Sequence, residues 1–158
     1  MADDATCPRP AARVNRPLLD DSRSSSPIDV VKPLTPVPSP LEQLRALYAA
    51  LPTIACRGLC YGACGPVMAS CLEVEQLGAP LTFHGRTLRC VFLNDDRRCV
   101  AYDQRPMICR VYGISHGLPC AHGCVPDRWL TDAEGRAYVA RAMAIGGGMV
   151  LPDRMGPQ

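Results

Sequence analysis

The sequence predicts a small α+β domain, irregular and metal-stapled, in which short helices and one short β-hairpin surround a cysteine-rich centre. Cysteine density is the first ground: ten cysteines in 158 residues, nine of them between Cys56 and Cys124. The second is a set of local helix-start signals at Ser39, Ser70 and Thr131. The third is a shortage of aromatic mass, with one Trp, two Phe and five Tyr. A core so poor in the residues that bury most area needs a further source of stability, and bound metal is what the cysteines offer.

Residues 1–38 hold seven of the 16 prolines and the run Ser22-Arg23-Ser24-Ser25-Ser26. Such a segment cannot bury enough apolar surface to offset its ordering entropy, so a disordered tail is expected there, with Cys7 a free exposed thiol. Ser39-Pro40-Leu41-Glu42 is a capping box, and Pro40 suits the first helical position. Leu41, Leu44, Leu47 and Tyr48 recur at helical spacing until Pro52. Ser70-Cys71-Leu72-Glu73 opens a second, short helix that stops near Gly78. Residues 81–83 and 87–92 flank His84-Gly85-Arg86 and read as the hairpin. Thr131-Asp132-Ala133-Glu134 opens a third helix with Tyr138, Ala142 and Ile145 on one face, ended by three glycines at 146–148. The domain is thus expected over 39–148, with its cysteine core at 56–124 and a flexible tail at 149–158.

Thiols at this density serve as disulfides or as metal ligands. Disulfides are rare in a reducing cytosol. The first residues contain no apolar stretch and carry Asp3 and Asp4 where a leader would be basic, so a cytoplasmic protein is expected. The odd count in the window also suits metal better than a pure disulfide scaffold. The candidate ligands are Cys56, Cys60, Cys64, Cys90, Cys99, Cys109, Cys120 and Cys124, with Cys71 as an extra or substitute. In one continuous helix, Cys56 and Cys64 would stand about 12 Å apart along the axis. Thiolates on one tetrahedral zinc lie within about 4 Å of each other. The segment must therefore bend, for which Gly58, Gly62 and Gly65 are suited, or its outer cysteines serve different metals. One tetrahedral ion takes four thiolates, so the count favours two centres or one multinuclear centre. His116 and His122 are weighed as ligands and read as secondary, since cysteines suffice; His84 is expected to be exposed.

Charge points the same way. A four-thiolate zinc centre carries a net charge of about −2, which needs hydrogen bonds or cations beside it. Arg57, Arg89, Arg98 and Arg110 each directly neighbour a cysteine, and nearby cations favour the ligating thiolate. Pro106 restricts Arg105 and orients the approach from Cys99 to Cys109.

Cys90-Val-Phe-Leu, Cys99-Val-Ala-Tyr102, Arg105-Pro106 and Cys109-Arg110 together resemble the signature of the YkgJ-type cysteine-cluster proteins, described as a zinc- or iron-chelating domain. The resemblance spans about residues 56–124 and includes the helix bearing Glu73 and Glu75. It departs where the family's first cluster ends in adjacent cysteines, because Gly65 follows Cys64 here. It implies metal binding, by zinc or iron, in a structural or chelating role without a defined reaction. An iron–sulfur redox protein, or an accessory to a modifying, methylating enzyme, is the alternative.

Other classes are disfavoured. No dinucleotide fingerprint, phosphate loop or triad order is present, and the reading leans away from an enzyme. The Cys56, Cys60, Cys64 spacing misses the radical-SAM pattern by one residue, and the chain is too short for the barrel that chemistry uses, roughly 200 residues or more. A net charge of +2 gives little footprint for nucleic acid, so none is expected as a partner. No apolar run of about 18 residues exists, so no membrane span is expected. Metal ions are the expected partners. No protein partner is specified.

Overall fold

A computed structural model describes residues 37–155. The expected disordered tail, apart from its last two residues, and Cys7 lie outside the described residues. Within them the chain is a small mixed α+β fold with four short helices and three two-stranded pairings.

All three capping boxes form. Ser39 starts α1 (Pro40–Ala49), Ser70 starts α2 (Cys71–Leu77) and Thr131 starts α4 (Asp132–Ile145), each with the reciprocal bond to a Glu at the third helical position. Gly78 ends α2 in the left-handed region at φ 66°, where glycine carries no Cβ penalty. A fourth helix, α3 (Met107–Val111), was not expected from the sequence. It begins directly after Pro106, whose fixed φ suits a helix start. Leu44, Met107, Val111 and Ala142 form the buried cluster, so α1, α3 and α4 share one core. Tyr138 and Ile145 pack against it, as their shared helical face predicted.

Glu73 ties these helices together. It is 1 % exposed, and its carboxylate accepts from Ser70 N at 2.8 Å, Ser70 Oγ at 3.0 Å, Tyr48 Oη at 2.7 Å and Met107 N at 2.7 Å. The box that caps α2 thus also caps α3 and anchors α1. Arg110 lies over the Tyr48 ring at 4.0 Å, which closes the same corner.

The strands are short. β1 (Ala69–Ser70) pairs antiparallel with β5 (Met149–Val150), and β2 (Thr82–His84) pairs parallel with β6 (Asp153–Met155). Residues 149–155, expected as a loose tail, therefore close two pairings. Their sequence is too short and mixed to advertise a strand, and their partners lie far back in the chain. The predicted hairpin about His84-Gly85-Arg86 is reduced to a turn: one antiparallel bridge joins Phe83 and Cys90, and the main ladder of β2 goes to β6. The hairpin that does form joins β3 (Ile114–Ser115) to β4 (Leu118–Pro119) across His116 and Gly117.

The third capping box makes a pH-dependent contribution. Glu134 accepts from Thr131 N at 2.7 Å and from Arg128 at 2.9 Å, and these bonds hold its carboxyl at about 2 against an ordinary 4.5. A carboxyl whose folded value is depressed stabilises the fold above its unfolded value and loses that contribution as pH falls through the folded one. The protein should therefore lose this increment between pH 4.5 and about 2, and Glu134→Gln should remove the dependence. Parallel acid titrations of stability for the two chains would refute the assignment.

Candidate metal centre

The eight cysteines expected as ligands are all free thiols. Cys71, weighed as a substitute ligand, is disulfide-bonded and stands outside the set. That bond also runs against the expectation that the whole window is reduced. His84 and His122 are exposed, and His116 is stacked on Trp129 at 5.1 Å between ring centroids.

The free thiols arrive on separate segments. Cys60 opens a one-turn 3-10 helix (Cys60–Ala63), and Cys64 follows it in extended conformation, so Cys56 to Cys64 is not one continuous helix. Cys64 O accepts from Cys90 N at 3.2 Å. Leu93 N donates to Cys90 O and Leu93 bridges Cys99, so the turn rich in Asn94, Asp95 and Asp96 folds Cys90 and Cys99 back on each other. Cys109 sits on α3. Cys60, Cys64, Cys90, Cys99 and Cys109 all line one cavity of about 310 Å³ whose other walls include Leu81, Phe92 and Ile108.

The segments that carry Cys56 and Cys124 approach from opposite directions. Ile54 bridges Pro126 antiparallel, Asp127 N donates to Thr53 O at 3.0 Å, and Thr53 Oγ1 donates to Asp127 Oδ2 at 2.8 Å. Just past that bridge the chain turns, with Cys56 N donating to Ile54 O at 2.8 Å. Arg57 donates to His122 O within the loop from Cys120 to Cys124. Gly123, at φ +71°, allows that loop to close through Gly123 N and Cys120 O at 3.2 Å.

Two opposite electrostatic effects act on particular thiols. Burial, reinforced by neighbouring thiols, pushes Cys64 up to about 11 and Cys109 up to about 12. Burial also raises Cys60 and Cys90. Hydrogen bonds from Arg57 instead hold Cys124 below its ordinary value. The arginines divide as well. Arg57 faces Cys124, while Arg89 donates to Leu93 O and Asn94 O, and Arg110 donates to Arg105 O and Asp103 O. Arg89 and Arg110 are thus spent on backbone carbonyls. Arg105, assigned from sequence only to the shape of a turn, lies over Tyr102 at 3.5 Å and acts favourably on the thiolates of Cys60 and Cys109. Tyr102 and Tyr112 also stand among the thiols, Tyr102 beside Cys56 and Tyr112 beside Cys60, Cys120 and Cys64. Sequence reasoning missed this role of both tyrosines. The Cys-Val-Ala-Tyr run offered a signal for the first.

Among the described residues, no group of three or more Cys, His, Asp or Glu side chains is arranged as a closed metal-holding set. The thiols are gathered as donors without being drawn onto one point. As chemistry the donor set fits a thiolate-seeking metal: soft sulfur ligands, a flanking guanidinium and an apolar wall. No family model matches the chain, and neither does any curated protein or solved structure. No helix of the described residues is long and apolar enough to cross a membrane.

Proposed function

We propose that residues 56–124 form a thiolate metal-binding module, for zinc or iron, with a structural or chelating role. One observation carries the reading: eight free thiols from separate stretches of chain come into adjacent neighbourhoods, five of them around a single cavity. Free thiols used only as small apolar residues would be dispersed through a core. Here the hydrophobic cluster of Leu44, Met107, Val111 and Ala142 contains none. The resemblance of residues 90–110 to YkgJ-type proteins supports the same reading. Binding draws protons off the thiols, and Arg57 and Arg105 are the cations at hand to offset the resulting charge.

Zinc and iron both accept four thiolates. An iron–sulfur centre in a redox or accessory role is the alternative, and colour separates the two, since an iron–sulfur protein is brown. The chain purified without air or chelator should carry metal by elemental analysis. Cys109→Ser should lower the metal per chain, because α3 brings this thiol to the cavity wall beside Cys64, Cys90 and Cys99. Metal-free native protein, or full stoichiometry in the variant, would overturn the proposal.

A further inference from the structure

We infer that metal binding draws the free thiols into two separate four-thiol sites, an inner one of Cys64, Cys90, Cys99 and Cys109 and an outer one of Cys56, Cys60, Cys120 and Cys124, and that the outer site exchanges its metal faster. This rests on the metal-binding reading above and assigns its ligands.

The backbone makes the division. The inner set is drawn together by the bond from Cys90 N to Cys64 O, by the Leu93–Cys99 bridge and by α3, and all four line the apolar cavity. The outer set is drawn together by the Ile54–Pro126 bridge, the Thr53–Asp127 bonds and the contact of Arg57 with His122 O. Cys120 approaches from beside Gly113, where a Cβ would lie 3.7 Å from Cys120 Cβ. Cys60 and Cys64 sit at opposite ends of the 3-10 turn, which rises about 8 Å over four residues. Cys64 Sγ nonetheless stays 3.6 Å from Cys60 O, so Cys60 stands where the two sets meet. Tyr112 lines the cavity with Cys60 and Cys64. Cys60 also touches the inner cavity, but the inner set is complete without it, and the outer has only three thiols unless Cys60 joins.

The surroundings set the difference in exchange. Cys56 is exposed, and Cys120 and Cys124 flank the exposed Ala121, His122 and Gly123. An incoming ligand reaches these sulfurs directly. The inner thiols are backed by Leu81, Phe92 and Ile108, which restrict solvent access.

The test uses the full chain, produced with added zinc and purified without air or chelator. Zinc per chain is measured, and its release to a chromophoric chelator is followed in time. Two zinc ions are expected, one leaving at least about tenfold faster than the other. Cys120→Ser with Cys124→Ser should remove the fast phase and one zinc, leaving the slow phase at its original rate. Cys99→Ser should remove the slow phase, and the outer double variant keeps the test readable if that chain does not fold. A single zinc, or one cluster lost equally on substitution in either set, would overturn the division while leaving metal binding intact. A chain that binds no zinc and no iron would sink both.

Discussion

Stripping the metal with a strong chelator should disorder the cysteine-bearing loops and leave the helical corner standing. Structural zinc contributes roughly 10–16 kcal/mol in small thiolate domains, which matches or exceeds the net stability of most domains. The loops have little else to hold them. Leu81 and Ala101 are the buried hydrophobics nearest the thiols, whereas Leu44, Met107, Val111 and Ala142 all belong to the helices. Hydrogen exchange should therefore rise over residues 56–68, 85–104 and 116–128 after chelation, with α1 and α4 still protected. Circular dichroism should show only a modest loss of helix. A chelated chain whose loops remain protected would show that thiol ligation does not staple them.

Replacing Glu73 by alanine should cost roughly 3–5 kcal/mol, a large share of the stability of a domain this size. The carboxylate accepts four hydrogen bonds while 1 % exposed. Its removal leaves the Met107 amide and the Tyr48 hydroxyl without their acceptor and takes away the carboxylate half of the box that caps α2. Glu73→Gln should be nearly as damaging, since one carboxylate oxygen becomes an NH2 group facing donors. Glu75→Ala, on the exposed face of the same helix, should stay within about 0.5 kcal/mol. Urea unfolding compares the three chains. A Glu73→Ala chain within about 1 kcal/mol of the parent would show that α1, α2 and α3 do not depend on this carboxylate.

Local features of the fold were legible in the sequence, and distant pairings were not. The capping boxes at Ser39, Ser70 and Thr131 each lie within four residues, so their chemistry can be read without the rest of the chain. Helix α3 was hidden because its five residues are too few to show a period. The buried role of Glu73 was hidden because Tyr48 and Met107 reach it from other helices. At the candidate site the break between Cys56 and Cys64 was one of two outcomes that the spacing allowed. The approach of the segments carrying Cys56 and Cys124 could not be read from it, because the Ile54–Pro126 bridge joins stretches with no shared pattern.

The late pairing of β5 with β1 and of β6 with β2 has a consequence for how the protein is made. Ala69 and Thr82 must wait for partners at Val150 and Asp153 that are synthesised some 70–80 residues later, an interval of several seconds at roughly 5–20 residues per second on the ribosome. Every cysteine between Cys56 and Cys124 leaves the ribosome before those strands can close. The segments that carry the thiols are thus still unpinned at one end when they emerge, and on the metal-binding proposal they would meet metal before the fold closes.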